Sequence, residues 1–288
     1  MNLKKVLTRN AAFEALRIRK NFGFQPHQAI CVYDLAEEKL GIKVRFDAIP
    51  SMEGMYVSGD PARIILSSLR PAGRMAYTCA HEVGHHVFSH GTHVDEEFEN
   101  QNLEGIKEEE YIAECFAGFL LMPKLAVSHG FARRGWEISN CTEEQLYIVA
   151  GWLGVGYTTL INHMSHSLKI LESIRAAKLA KFSPNKIRGS ILGQEVKENL
   201  IVVDQEWFGR TIDTHIDDLV LFKQDIKFEG SCIEYIRSVK GGQLFRMVMP
   251  GIARCFTRNG NWAEFVRVSR KEYVGQCKYR HLEEPIDG

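Results

Sequence analysis

The sequence has no excess charge of either sign and no long apolar run. Its 288 residues carry 36 Lys or Arg and 36 Asp or Glu, so no overall field draws the chain to nucleic acid or to an anionic membrane. Apolar runs such as Phe119 to Met122 fall far short of the roughly 20 residues that span a bilayer. With 45% apolar residues, the composition favours a soluble enzyme.

Paired cysteines and a leader sequence are also missing. The seven cysteines are odd in number and show no C-x-x-C spacing, as is typical of reduced thiols in the cytosol. The first ten residues contain no apolar core, so we expect no signal peptide. We therefore expect a cytoplasmic protein. Two cysteines lie close to the motifs described below, Cys79 and Cys115, and we expect them to be small packing residues without a metal-binding role.

One segment, Tyr77 to Phe88, contains the pattern H-E-x-x-H within a run whose apolar residues recur at helical spacing. On a helix, which rises about 1.5 Å per residue, His81 and His85 lie on one face about 6 Å apart and can bind one metal ion. Glu82 lies beside them, close enough to take a proton from a water that the ion acidifies. The pattern therefore predicts two metal ligands and a base, the layout of a zinc hydrolase.

A catalytic zinc site usually has three protein ligands, so a third must come from another segment. A second predicted helix, Glu108 to Pro123, ends at a proline and places Glu110 and Glu114 on one face. One of these carboxylates can bind the metal while the other hydrogen-bonds a ligand imidazole. We favour Glu110 as the ligand and keep Glu114 as the alternative. Because apolar residues flank Glu114, we do not expect it to lie on a solvated face.

The two motifs together resemble those of the ImmA/IrrE metallopeptidases, in which H-E-x-x-H is followed by E-x-x-A-[ND]-x-F-A-x-x-L-L-M-P. This chain has H-E-V-G-H-H from His81 and E-Y-I-A-E-C-F-A-G-F-L-L-M-P from Glu110. The similarity extends upstream to Asp34 and downstream to Leu160. One position departs from the family pattern, because Glu114 stands where Asn or Asp is usual.

Carried over position by position, the resemblance implies His81, His85 and Glu110 as ligands of Zn²⁺, with Glu82 as the base. It also implies a zinc-dependent endopeptidase that cleaves a helix-turn-helix transcriptional repressor and so switches on stress or mobile-element genes. Since we find no repressor domain in the sequence, the partner would be encoded elsewhere. The alternative is a non-catalytic, metal-containing regulatory or antitoxin-like protein. The presence of Glu82 argues against it, because a purely structural site needs no base.

The fold class that we expect is α+β. Residues 1–185 read as a mainly helical, zincin-like metallopeptidase domain with a short sheet and a helix-turn-helix-like segment at 143–170. Two strand-like runs, separated by turn residues that include Gly54, precede the metal helix. Residues 186–288 read as a β-rich domain, because strand-like runs there are broken by Gly, Asp and Asn. We expect this second part to select or regulate the substrate and to carry no catalytic group.

The helix-turn-helix-like segment lacks the charge of a DNA-reading motif. Its second helix, Thr158 to His166, contains no Lys or Arg for phosphate contacts, so we do not expect direct nucleic-acid binding. We interpret His163 and His166 as packing or surface residues. Three more histidines follow the metal motif, and one of them could help polarise a substrate carbonyl: His86, His90 and His93.

Overall fold

The computed structural model describes residues 3–96 and 108–282. Helices dominate the described chain up to residue 192, and strands dominate from residue 200 onward. A small sheet also forms beside the H-E-x-x-H helix. The predicted α+β class, a helical part followed by a β-rich part, is confirmed.

The helices of the described residues are numbered α1 to α9: Leu3–Asn21, Val32–Asp34, Ala72–Val87, Glu108–Leu121, Lys124–Ala132, Glu143–Leu153, Tyr157–Asn162, Ser173–Leu179 and Pro184–Leu192. The second and the seventh continue directly into π-helical turns at Leu35–Lys39 and His163–Ser167. The helix α6 begins with a capping box, in which Thr142 and Gln145 satisfy each other's backbone N–H groups. It ends at Gly154, whose φ of 76° suits glycine.

The strands of the described residues are numbered β1 to β13: Lys43–Asp47, Met52–Val57, Arg63–Ser67, His93–Glu96, Leu200–Val203, Ile212–His215, Leu219–Phe222, Ile226–Glu229, Ile233–Val239, Gly242–Met247, Gly251–Thr257, Ala263–Ser269 and Gly275–Gln276. They form one five-stranded sheet, β13-β1-β3-β2-β4, and two four-stranded sheets, β5-β7-β10-β9 and β6-β12-β11-β8. Gly54, interpreted from the sequence as a turn residue, lies within β2. The prediction of a turn there was wrong, because pairing with β3 outweighs the low strand propensity of glycine.

Three helices, α1, α3 and α4, form a core beside the five-stranded sheet. The helices α1 and α3 both pack against α4, whose inward face includes the fully buried Phe116 and Leu120. Arg19, near the end of α1, is 1% exposed and donates from Nη1 to the carbonyl of Leu120 at 2.9 Å. This bond satisfies a carbonyl in the last turn of α4, which has no partner within its own helix.

The apolar stretch Glu108–Ala132, which spans α4 and α5, is long and apolar enough by composition to cross a membrane. In this fold 61% of its most apolar window is buried inside the protein. The interior helices of globular proteins have the same composition, so the core accounts for the apolarity of this stretch.

The helical and β-rich parts share a sheet and a core. Strand β13, near the end of the described chain, pairs with β1 through Arg45 opposite Gln276 and Phe46 opposite Gly275. One continuous cluster of buried apolar side chains contains residues from α1 through to Cys277. The C-terminal residues therefore complete structure that begins in the first fifty residues.

Ion pairs join the same two parts. Arg267 donates from Nε to Asp213 at 2.6 Å and from Nη2 to Asp34 at 3.1 Å, while Arg280 donates to Asp213 at 3.0 Å. Burial alone would raise the pKa of Asp213, but Arg280 and Arg267 hold it well below its usual range. The predicted domain boundary, between residues 185 and 186, falls within α9, Pro184–Leu192.

Candidate metal site

The helix α3 carries the H-E-x-x-H motif and buries most of it. His81 is 6% exposed, and Glu82 and His85 are fully buried. Because the two histidines are four residues apart, their rings lie on one face, with centroids 4.8 Å apart. The Nε2 atoms of His81 and His85 lie 3.0 Å from each other, so both nitrogens face the same point.

Gly84 brings α4 close to this face. A Cβ added to Gly84 would lie 3.1 Å from Cα of Ala113 and 3.2 Å from Cδ1 of Phe116. Glycine at this position therefore permits the two helix backbones to approach each other closely. Glu110 lies almost one turn before Ala113, and this approach places its carboxylate beside the two histidines.

The carboxylate of Glu110 faces both imidazoles. Its Oε2 lies 3.3 Å from Nε2 of His81, and its Oε1 lies 3.5 Å from Nε2 of His85. One donor atom from each of the three side chains falls within 4.8 Å of the other two. The structure thus brings together the three residues that the sequence predicts as metal ligands.

The protonation states of His85 and Glu110 suit a cation beside them. Burial, reinforced by the neighbouring His81, lowers the pKa of His85 to about 3, so this imidazole is neutral near pH 7. Burial opposes ionisation of Glu110, but the contact with His81 outweighs it and the pKa of Glu110 lies below its usual value. Neutral imidazoles and an ionised carboxylate are the forms that bind divalent metals.

The carboxylate of Glu82 does not belong to this three-residue group. It lies against Gly54, where an added Cβ would be 2.7 Å from Oε1 of Glu82. The same Cβ would be 2.5 Å from Cγ2 of Thr78. Strand β2 can therefore pass over Glu82 only because residue 54 has no side chain.

Glu114 is placed beside His81 but on the surface. Its Oε2 lies 3.6 Å from Nδ1 of His81, and its Oε1 accepts a hydrogen bond from the Tyr77 hydroxyl at 2.9 Å. The side chain of Glu114 is 61% exposed, so the expectation that it avoids a solvated face was wrong. Its apolar neighbours, Ala113 and Phe116, point inward on the other side of α4.

Two later histidines contact the site, and their contacts were not predicted. His90 lies with Nδ1 at 3.0 Å from Nδ1 of His85, on the ring edge opposite the one that faces Glu110. His93, on strand β4, stacks on His85 with ring centroids 4.2 Å apart, and its Nε2 lies 2.7 Å from Oε1 of Glu110. His86 instead pairs with the Tyr56 hydroxyl at 2.9 Å. The proximity of residues 90 and 93 to the motif was their only signal in the sequence.

The remaining candidates have structural contacts. Cys79 is fully buried in the core, and Sγ of Cys115 lies 3.8 Å from the Thr8 hydroxyl. His163 is 7% exposed, with Nε2 at 3.1 Å from the Met122 carbonyl oxygen. His166 lies on the surface. The interpretation of His163 and His166 as packing or surface residues agrees with these positions.

The donor set fits a divalent transition metal. Two imidazole nitrogens and one carboxylate oxygen match the His₂Glu set of catalytic zinc enzymes, which leaves a position for water or substrate. A wide cavity of about 1300 Å³ reaches two of the three residues, His81 and Glu110.

A match to a protein family agrees with the presence of a metal site in this part of the chain. The IrrE N-terminal-like domain, a peptidase family, matches residues 37–175. No curated protein matches the chain. Among solved structures, a Mycobacterium tuberculosis transcriptional regulator is similar at 14% identity and a TM-score of 0.37, over 57% of this chain and 52% of that protein. The chain thus spans about half the length of that regulator. Residues 37–175 form a metallopeptidase-like domain of the IrrE N-terminal-like family, the ImmA/IrrE family to which the paired motifs pointed.

Proposed function

We propose that this protein is a zinc-dependent endopeptidase, with His81, His85 and Glu110 as zinc ligands and Glu82 as general base. The observation that carries the proposal is the convergence of two imidazoles and one carboxylate within 4.8 Å. The convergence occurs in a domain of a peptidase family. Zinc is the metal of choice because a site of two histidines and one glutamate with an open position is typical of zinc hydrolases.

The residues of the chain divide the work of peptide hydrolysis. A zinc ion bound here would activate a water and polarise the scissile carbonyl. Glu82 would accept the proton of the attacking water and return it to the leaving amide nitrogen. His90 would fix the ring of His85 through the 3.0 Å contact between their Nδ1 atoms.

The substrate that we propose is a helix-turn-helix transcriptional repressor encoded elsewhere, in the cytoplasm. This part of the proposal comes from the resemblance of the motifs to the ImmA/IrrE family. It agrees with the size of the cavity beside the site, about 1300 Å³, which exceeds the roughly 300–1000 Å³ of small-molecule pockets. Cleavage of such a repressor would release the genes that it silences.

One observation favours the alternative of a non-catalytic metal-containing regulator. Glu82 is fully buried and its carboxylate lies against Gly54, whereas a base must reach the attacking water. In that case the metal would hold α3 and α4 together without turnover. Metal content and cleavage, measured separately, distinguish the two functions.

The test compares the wild-type chain with Glu82→Gln, using a co-encoded repressor as substrate. Glu82→Gln should keep about one zinc per chain while cleavage falls by roughly 10²- to 10⁴-fold, because the change removes a base and no ligand. Glu109→Gln, at an exposed position on α4, is the matched control and should cleave normally. Zinc-loaded wild-type protein that cleaves no repressor would favour the non-catalytic function.

A further inference from the structure

The cavity that reaches the candidate metal site is lined by both parts of the chain. Its walls include His81 and Glu110, and also residues between 184 and 280. Those C-terminal residues contribute six Lys or Arg and three Asp or Glu to the lining, although the chain as a whole carries equal numbers of each. The β-rich part therefore gives the cavity a wall of net positive charge.

One basic residue of this wall is buried without a carboxylate. Arg188, on α9, is 9% exposed, and its Nη2 donates to Oδ1 of Asn185 at 2.6 Å and to the carbonyl of Lys197 at 3.3 Å. Its Nε is buried without a hydrogen-bond partner in the part of the chain that the structure describes. Within the same residues no Asp or Glu lies within ion-pair distance of Arg188.

The buried and partly buried arginines of the fold differ in their partners. Arg19, which does not line the cavity, donates to backbone carbonyls, and so does Arg210 of the cavity wall, whereas two others are neutralised by a carboxylate. Arg280 pairs with Asp213 at 3.0 Å, and Arg134 pairs with Asp204 at 2.7 Å. A buried guanidinium without a counter-ion is unfavourable, because the lost hydration is not replaced by an opposite charge. Because Arg188 also lines the cavity, a ligand in the cavity can supply the missing charge.

We propose that Arg188 is the anchor of an anion subsite in the cavity and that the subsite binds a carboxylate. Arginine favours carboxylates because its planar donors match two oxygens at once. Lys197 lies next to Arg188 in the cavity wall and adds a second positive charge. As an extension of the proposed function, the carboxylate is an acidic side chain of the polypeptide substrate. The same chemistry would also bind a small free carboxylate that regulates the site.

The competing explanation is that Arg188 only ties the start of α9 to the loop at Lys197. Stability separates the two roles. If Arg188 is only structural, Arg188→Gln should unfold more easily than the wild type. If its main role is to bind an anion, removal of an uncompensated buried charge should leave the melting temperature unchanged or raise it in the absence of ligand.

The experiment measures binding in a full-length Glu82→Gln background, so that it does not depend on turnover. Two pooled, fluorescein-labelled octapeptide libraries, identical except for Glu or Gln at two fixed positions, are titrated by fluorescence anisotropy. Citrate is titrated separately by calorimetry. The variants are Arg188→Gln and Arg188→Lys, with Arg258→Gln as control, because Arg258 is 70% exposed and does not line the cavity.

We expect the Glu library to bind about 10-fold more tightly than the Gln library, a preference that Arg188→Gln removes and Arg258→Gln keeps. Arg188→Lys should retain part of it. Citrate binding that depends on Arg188, without a peptide preference, would assign the subsite to a free carboxylate. Equal binding of both libraries and no citrate binding by the wild type would overturn the subsite. So would an unchanged preference in Arg188→Gln. A wild-type chain that cleaves no repressor, while the Glu82→Gln protein keeps the acid preference, would instead count against the proposed peptidase.

Discussion

Gly54 lies directly over the carboxylate of Glu82, so that a single added methyl group would come within 2.7 Å of Oε1. The backbone of Gly54 does not have a positive φ, so a side chain is excluded at this position by lack of space alone. The strand that covers the site and the proposed base are therefore fitted to each other. A substitution at Gly54 can therefore test the position of Glu82 without changing its carboxylate.

The first prediction is that Gly54→Ala keeps the metal and loses cleavage. The new methyl must displace both Thr78 and Glu82, or else strand β2. A displacement of about 1 Å in a catalytic group can reduce turnover by roughly 10²-fold. Zinc content by elemental analysis and cleavage rate are measured on the same sample. Gly59→Ala is the control, because an added Cβ there meets nothing closer than 3.7 Å. Full cleavage by Gly54→Ala would show that this contact does not position the base.

The second prediction concerns the two carboxylates of α4. Glu110→Ala should weaken zinc binding more than Glu114→Ala, because Glu110 reaches both histidines at 3.3 and 3.5 Å whereas Glu114 contacts only Nδ1 of His81 at 3.6 Å. Glu114→Ala should lower the zinc affinity by about 10- to 100-fold, because Glu114 contacts a ligand histidine and is not itself a ligand. Competition with a chelating dye measures the zinc affinity of both variants. The opposite order would exchange the two roles.

Glu114→Asn provides a further comparison, because asparagine is one of the usual residues of the family at this position. The exposed side chain of Glu114 has room for the shorter amide. We expect its zinc affinity to stay within a few-fold of the wild type, since an amide oxygen can still accept a hydrogen bond from a ligand imidazole.

The local part of the site could be predicted from the sequence. The four-residue spacing of His81 and His85 fixes their common face on any helix, and the same rule paired Glu110 with Glu114. The exposure of Glu114 could not be inferred in this way. It depends on the rotation of α4 about its own axis where it packs against α3. The contact of Gly84 with Ala113 sets that rotation.

Long-range pairing explains what the sequence did not reveal. Strand β4, which carries His93, is defined by its pairing with β2, and its four residues show no strong strand pattern of their own. Strand β13 is only two residues long and exists because β1 offers an edge. Short strands of this kind are fixed by tertiary contacts, which local propensity does not encode.

The third prediction is a loss of stability in mild acid that depends on His163. Burial lowers the pKa of His163 to about 4, below the roughly 6.5 of an unfolded histidine. The unfolded chain therefore takes up a proton between these values and the folded chain does not, so stability is full above about pH 6.5 and falls as the pH decreases. From pH 7.5 to 5.5 this group should account for about 1 kcal/mol.

Urea denaturation at the two pH values measures this effect. His163→Gln can keep a donor toward the Met122 carbonyl and has no group that titrates. Its loss of unfolding free energy between pH 7.5 and 5.5 should therefore be smaller than that of the wild type by about 1 kcal/mol. The exposed His166→Gln is the control and should lose as much as the wild type. Identical losses in all three proteins would show that His163 titrates alike in the folded and unfolded states.

The last prediction concerns a chain that ends at Ser183. This truncation removes strand β13 from its place beside β1 and removes Arg267, the partner of Asp34. It also removes the carbonyl of Leu200, to which the Tyr147 hydroxyl of α6 donates at 2.6 Å. Because the two parts share one core, we expect the shortened chain to lose cooperative unfolding and to bind zinc poorly.

Circular dichroism, zinc content and peptide cleavage are measured together on the shortened chain, with a chain that ends at Leu282 as control. The control keeps every strand that the structure describes and should fold and bind zinc normally. A shortened chain that folds, binds zinc and cleaves peptides would show that the helical part is independent of the β-rich part. The positive wall of the cavity would then serve substrate choice alone, since removing it would leave the chemistry intact.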